Sequence, residues 1–183
     1  MTTSRTLLRT ADLDDLEQIT DLHTQARTAY YQAGGLAEEE LTSPDARLRR
    51  REMWMRAVQN DTKTVMCAVR EGEVVGILAM GPPLEADVDA GTVGQLYQIH
   101  VRPGLWGEGI GSRIHAEFVR NLRDASLTAG VLEAWESNGR AQAFYARHGW
   151  KPDGHQRPGP GDANYVRLRL DLGSLGPYTQ QSE

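Results

Sequence analysis

Gln98-Ile99-His100-Val101-Arg102-Pro103-Gly104-Leu105-Trp106-Gly107-Glu108-Gly109-Ile110-Gly111-Ser112-Arg113 passes from a strand through a glycine-rich turn into the start of a helix. Glycines at 107, 109 and 111 allow positive φ and let a ligand approach the backbone closely. Successive N–H groups then face one concavity at the positive end of the helix dipole, an arrangement that suits a diphosphate. Three alternating glycines exceed what a tight strand-to-helix turn requires. A Walker A loop would end Gly-Lys-Ser/Thr, and no lysine occurs in this stretch. A dinucleotide fingerprint, Gly-x-Gly-x-x-Gly, fails at its third glycine, where Ser112 stands, although the acid that motif asks for has a counterpart in Glu133. Residues 102–106 also separate the strand from the first glycine, and 183 residues leave no room for two mononucleotide-binding halves.

Outward from this segment the chain is punctuated clearly. On its N-terminal side, Val93–Val101 reads as a strand, preceded by an acidic loop over 85–91. Thr62–Arg70 and Val74–Met80, joined by Glu71-Gly72-Glu73, predict an antiparallel hairpin closed by Gly81-Pro82-Pro83. Arg5–Thr10 predicts a first strand. Asp12 then offers an N-cap to a helix whose positions Leu13, Leu16, Ile19, His23, Ala26 and Tyr30 recur at three- and four-residue spacing until Gly34-Gly35. Ser43-Pro44, a cap followed by proline at the first helical position, announces a second helix running to Val58. On the C-terminal side, Ile110, Ile114, Phe118 and Leu122 mark one helix face. Val131–Glu136 predicts a strand, Asn138–His148 a short helix, Gly149-Trp150 the start of a strand, Arg157–Asp162 a turn and Tyr165–Leu170 the last strand. The order β-α-α-β-β-β-α-β-α-β-β implies an α/β fold with a mixed, mostly antiparallel sheet and helices on both faces. We expect one domain over 5–171 and a polar tail over 172–183. Along the strand before the loop, alternation places Leu96, Gln98 and His100 on one face and Tyr97, Ile99 and Val101 on the other; a bulge would disrupt that count.

Composition narrows the function class. With 39% hydrophobic and 25% charged residues the chain is of ordinary globular type, and its length suits one domain. A net charge of −5 disfavours non-specific binding to nucleic acid or to an anionic membrane, and the arginines at 47, 49, 50, 51 and 56 read as a solvated helix face. A single cysteine, Cys67, excludes an internal disulfide framework and a Cys-based zinc site; it sits mid-strand among apolar neighbours and is expected in the core. The five histidines lack metal-binding spacing, so no metal is expected. No apolar run approaches the ~20 residues that span a bilayer and the N-terminus is unlike a signal peptide, so a cytoplasmic protein is expected.

Val101-x-Pro103-x-x-Trp106-Gly107-x-Gly109-Ile110-Gly111 resembles the pyrophosphate loop of the GCN5-related N-acetyltransferases, the GNAT superfamily. The segment from Leu132 to Trp150, with Asn138, Ala141, Phe144-Tyr145 and Gly149-Trp150, resembles that family's later motif. The likeness extends from Arg5 to Leu170, and the two N-terminal helices are similar to those of bacterial members that act on small substrates or proteins. The resemblance implies a GNAT-like acyl-CoA N-acyltransferase fold, acetyl-CoA as co-substrate, and transfer of its acetyl group to an amine by direct attack on the thioester.

It also implies roles. Trp106, Gly107, Glu108, Gly109, Ile110, Gly111 and Ser112 would hold the diphosphate. The edge Ile99–Val101 would pair with the amide-rich pantetheine arm at a splay from the Val131–Glu136 strand. Asn138 either binds that arm or caps its own helix. A backbone N–H near His100 or Val101 would receive the developing oxyanion, and Tyr145 would serve the leaving thiolate. The family's loop commonly opens on Gln or Arg where Trp106 stands, and Arg102 or Arg113 offers a replacement charge. A glutamate common early in the preceding strand is Gln95 here, which leaves His100, or Glu133, as the base. Tyr30, Trp54 and Glu133 are expected on the acceptor side, with packing between helices the other reading of Tyr30 and Trp54. A non-catalytic acyl-CoA-sensing module is the alternative function, and a monomer and a homodimer are both open.

Overall fold

Both predicted helix starts are made by the side chains that announced them. Asp12 accepts from the Asp14 N–H at 2.9 Å while Asp15 accepts from the Asp12 N–H at 3.0 Å, a reciprocal cap on a 3-10 turn over Leu13–Asp15 that leads directly into helix α1, Leu16–Ala33. Ser43 Oγ accepts from the Ala46 N–H at 3.2 Å and Pro44 opens helix α2, Pro44–Val58. The computed structural model describes residues 5–35 and 43–174. Strands β1 (Leu7–Thr10), β2 (Thr64–Arg70), β3 (Glu73–Gly81), β4 (Val93–Val101), β5 (Ala129–Trp135), β6 (Lys151–Pro158) and β7 (Asn164–Asp171) join helices α3 (Ile110–Asp124) and α4 (Gly139–Arg147) in the expected order.

The strands form one seven-stranded sheet in the order β1-β2-β3-β4-β5-β7-β6. Every pairing is antiparallel except that of β4 with β5. Leu16, Ile19 and Leu22 of α1 and Trp54 of α2 bury one face of β2 and β3, with Cys67 inside this layer. Burial raises the Cys67 thiol to about 12, so it stays protonated and inert. Ile110, Ile114, Phe118 and Leu122, the four positions predicted for α3, cover the opposite face. Glycines at 76, 94 and 130 admit that helix: a Cβ at any of them would run into Ile114, Leu122 or Phe118.

Two expectations change. The arginines of α2 are not simply solvated: Arg47 pairs with Glu17 at 2.9 Å and Asp21 at 2.8 Å, Arg51 pairs with Glu17, and buried Arg50 donates to Thr24 Oγ1, so the basic face docks α2 onto α1. The domain also does not end at 171. Leu172 is only 8% exposed, joins the core, and donates its N–H to Thr128 O at 2.9 Å. Residues 175–183 of the expected tail lie outside the described residues. Among the described residues no helix is long and apolar enough to cross a membrane.

Candidate active site

β4 and β5 are paired only where Val93–Gln95 meets Ala129–Val131; beyond that point they part. β4 is bulged there: Ala79 lies opposite Gln98 but Met80 opposite Leu96, which leaves Tyr97 as the extra residue. The bulge overturns the predicted faces. Leu96 shares the α3–α4 side with Ile99 and Val101, whereas Tyr97 turns to the α1–α2 side, where His100 stacks on His23 at 4.5 Å. The Arg102 N–H donates to Val75 O at 3.0 Å, so by strand alternation the peptide groups of Ile99 and Val101 point away from β3, into the gap.

Two cavities meet at this gap. The first, about 470 Å³, is lined by Ile99 and Val101, the glycine turn and the start of α4. Gly107 and Gly109 have φ of +89° and +81°, a backbone region that excludes ordinary side chains, and a Cβ on either would meet only open space. Arg113 is the first residue of α3 whose N–H finds a helical carbonyl, on Gly109 at 3.1 Å; the N–H groups of Ile110, Gly111 and Ser112 precede it. Trp106 also lines the cavity, and its indole N–H donates to Val101 O at 2.9 Å. Glu108 does not line it and instead pairs with Arg70 at 2.6 Å. Neither cation expected to replace the missing loop charge lines it: Arg102 is committed to Val74 O at 2.9 Å and to Glu73 at 3.4 Å, and Arg113 lies outside the lining. Arg140, which the sequence reading missed, supplies that charge, its guanidinium 4.3 Å from the centre of the Trp106 ring. The local signal was there, a cation in the first turn of the helix that Asn138 starts. Ala26, Ala29 and Ala33 of α1 also line this cavity, a small-residue face already implicit in the helical periodicity.

The second cavity, about 430 Å³, shares Tyr30, Ile99, His100, Asn138, Ala141 and Tyr145 with the first. Asn138 Oδ1 accepts from the Ala141 N–H at 3.1 Å, so it caps α4 while standing at the junction. Tyr145 is 8% exposed, its ring held edge-on by Phe144 and Trp150, and burial pushes its phenol well above the ordinary value near 10. Glu133 lines the second cavity but is spent on Arg157, which holds it by Nε at 2.9 Å and Nη2 at 2.8 Å while lying over the Tyr165 ring. Ser112 sits apart from this junction, its Oγ 3.2 Å from His148 Nε2.

His100 does not have the electrostatics of the expected base. Its Nε2 faces Gln98 Oε1 at 2.8 Å and therefore carries the proton, and burial followed by the nearby Arg27 and Arg50 drives its pKa down to about 3. A group that weak does not hold a proton taken from an ammonium near neutral pH. Trp54 lines the second cavity, yet it is 0% exposed and donates to His23 Nδ1 at 3.0 Å, so it packs between the helices and forms part of the wall at once. Arg27, Lys63, Tyr97 and Gln98 of the second cavity went unread because they come from separate elements with no common motif. Among the described residues, one group has metal-like spacing, Glu85, Asp87 and His155, and it lies outside both cavities with Arg167 already paired to Glu85 and Asp87.

The sequence matches the acetyltransferase (GNAT) family over residues 16–150. It is 26% identical over 144 residues to an uncharacterized N-acetyltransferase of Archaeoglobus fulgidus, covering 76% of this chain and 88% of that one. The fold is similar to the PaiA N-acetyltransferase of Thermoplasma acidophilum in complex with coenzyme A, with a TM-score of 0.73, 17% identity, and 91% and 99% of the two chains covered. It is likewise similar to YncA, a putative acetyltransferase of Salmonella typhimurium with its cofactor acetyl-CoA, with a TM-score of 0.64, 18% identity, and 92% and 95% covered.

Proposed function

This chain belongs to the acetyltransferase (GNAT) family and is an N-acetyltransferase, and from that premise we propose that it transfers the acetyl group of acetyl-CoA to an amine by direct attack on the thioester. The observation that carries this reading is the meeting of two cavities at Tyr145 and the open edge of β4. The first cavity fits coenzyme A by its chemistry. Its glycine turn and the first turn of α3 present uncharged N–H donors, and Arg140 and Arg147 add the positive charge a diphosphate needs. The peptide group of Ile99 and the N–H of Val101, whose carbonyl already accepts from Trp106, face the gap and match the amides of the pantetheine arm, which would extend the sheet there. The acceptor enters by the second cavity.

The attacking nitrogen forms a bond to the acetyl carbon and the carbonyl π electrons move to oxygen. An N–H in the β4 gap stabilises that oxyanion, which then collapses and breaks the carbon–sulfur bond. Tyr145 meets the departing sulfur. With its pKa raised by burial above that of a thiol near 8.5, it keeps its proton and stabilises the thiolate as a hydrogen-bond donor. We assign no side chain the role of strong base, because His100 is too weakly basic and Glu133 is held by Arg157. The amine attacks in its neutral form, the new amide nitrogen sheds its proton to water, and the thiolate is protonated on release.

The test is Tyr145→Phe. Thioester turnover is expected to fall roughly 10²-fold or more, the scale of losing one donor to a developing charge, while the Kd for acetyl-CoA by calorimetry stays unchanged. Equal losses in both, or none in either, would remove Tyr145 from this role.

A further inference from the structure

The charge of the second cavity says which amines suit it. Four of its lining residues carry charge at neutral pH: Arg27, Lys63, Glu133 and Arg157. Glu133 and Arg157 neutralise each other in a bidentate pair. Among the described residues, neither Arg27 nor Lys63 forms an ion pair; each lies against an aromatic ring, Arg27 at 4.8 Å from the centre of Tyr31 and Lys63 at 5.0 Å from that of Tyr97. The cavity is therefore positive although the chain as a whole carries −5. The rest of its wall mixes aromatic and apolar residues, Tyr30, Tyr97, Tyr165, Met53 and Leu84, with the amides of Gln95, Gln98 and Asn138. Its volume of about 430 Å³ falls in the range of small-molecule sites, about 300–1,000 Å³.

Two cations held against aromatic rings, with no ion-pair partner among the described residues, act on an incoming amine in two ways. They attract an anion carried by the same molecule, and they disfavour a second positive charge, which lowers the amine's pKa and raises its neutral, nucleophilic fraction. The second effect supplies what the site lacks, since no strong base faces the junction. His100, which lines the same cavity, has its basicity lowered first by burial and then by Arg27 and Arg50, the direction expected of such a field.

Resting on the function proposed above, we infer that the acceptor is a small amine that also bears a carboxylate, of the amino-acid class with an apolar or aromatic side chain. Its carboxylate pairs with Arg27 or Lys63, and its nitrogen reaches the junction of the two cavities.

Matched acceptors test this with the full chain and acetyl-CoA, read by thiol release: phenylalanine against phenethylamine, leucine against 3-methylbutylamine, with putrescine and spermidine as dications. The carboxylate-bearing member of each pair should be preferred about tenfold or more in kcat/KM. Lys63→Met or Arg27→Met should raise the KM for phenylalanine roughly five- to tenfold, the scale of one partly exposed ion pair, and move the KM for phenethylamine far less, with its turnover shifted toward higher pH. Lys63→Arg or Arg27→Lys should restore the KM for phenylalanine. An unchanged Kd for acetyl-CoA in each variant reports an intact fold. Preference for the decarboxylated amines or polyamines, KM values that neither variant moves, or binding of acetyl-CoA with turnover of no carboxylate-bearing amine would each overturn the inference. Failure of the native chain to bind acetyl-CoA would instead strike the proposed function itself.

Discussion

The two cavities are close in volume and share a wall, yet they are built from different material. The first presents main chain: a bulged strand edge, two glycines at positive φ, and the N–H groups that begin α3. The second is made of side chains gathered from α1, α2, β4, β5, β6 and β7. A backbone cradle can be written locally, because the glycines, the strand and the helix start are consecutive. The ligand proposed for it carries an invariant diphosphate, so such a cradle would tolerate little variation. A side-chain cavity can be rewritten one residue at a time without disturbing the chemistry next door.

Substitutions can break or sharpen that contrast. Gly109→Val should have the largest effect, since a β-branched residue at φ +81° carries strain of about 1–3 kcal/mol. The Kd for acetyl-CoA should weaken roughly 10- to 100-fold by calorimetry, with acceptor KM at saturating acetyl-CoA unmoved. An unaltered Kd would show that main-chain geometry is not what binds. Gly34→Ala probes the other side. A Cβ there would enter the ring of Trp135, which is buried and tied to Pro160 O at 3.2 Å, so one of the two must shift. Overpacking of that kind costs about 1–3 kcal/mol. We expect a lower melting temperature and a changed acceptor KM while acetyl-CoA affinity holds. Arg140→Ala should weaken acetyl-CoA binding roughly three- to tenfold, more at low ionic strength than at high. A loss insensitive to salt would point to lost stacking on Trp106 instead.

The smallest effect is a control remote from both cavities. Arg9 grips Asp15 through two 2.7 Å bonds and holds its carboxyl below the usual range near 3.8. The native state therefore binds the Asp15 proton less readily than the unfolded chain does. The stabilisation is complete above the unfolded pKa and fades as pH falls through the folded one. Urea titrations of Asp15→Asn should differ from the parent by a constant amount above about pH 5, converge with it in more acid solution, and show unchanged kinetics throughout.

Much of this was legible in sequence. Asp12, Ser43-Pro44 and Gly34 bounded the first two helices, and alternation with Gly and Pro punctuation gave the strands, because each of those signals is carried by neighbours in the chain. The bulge at Tyr97 was legible only as a possibility: the apolar alternation breaks between Leu96 and Ile99, but the offset is fixed only relative to β3. Trp54 could be read either as an acceptor-side aromatic or as packing between helices; it does both, lining the second cavity while donating to His23 on another helix, a partner the sequence does not name. The weak basicity of His100 was equally hidden, as it depends on burial and on Arg27 and Arg50, which meet it only once α1 and α2 are docked.

On the proposed function, the early parting of β4 and β5 leaves the sheet unfinished until a guest molecule completes it. The amides of Ile99 and Val101, in the middle of the sheet, should exchange with deuterium at rates typical of loops until acetyl-CoA seals them. Occupancy then becomes a contribution to folding, growing with the logarithm of ligand concentration. The enzyme would be hardest to unfold in a cell rich in acetyl-CoA and most vulnerable to proteases when that supply runs low.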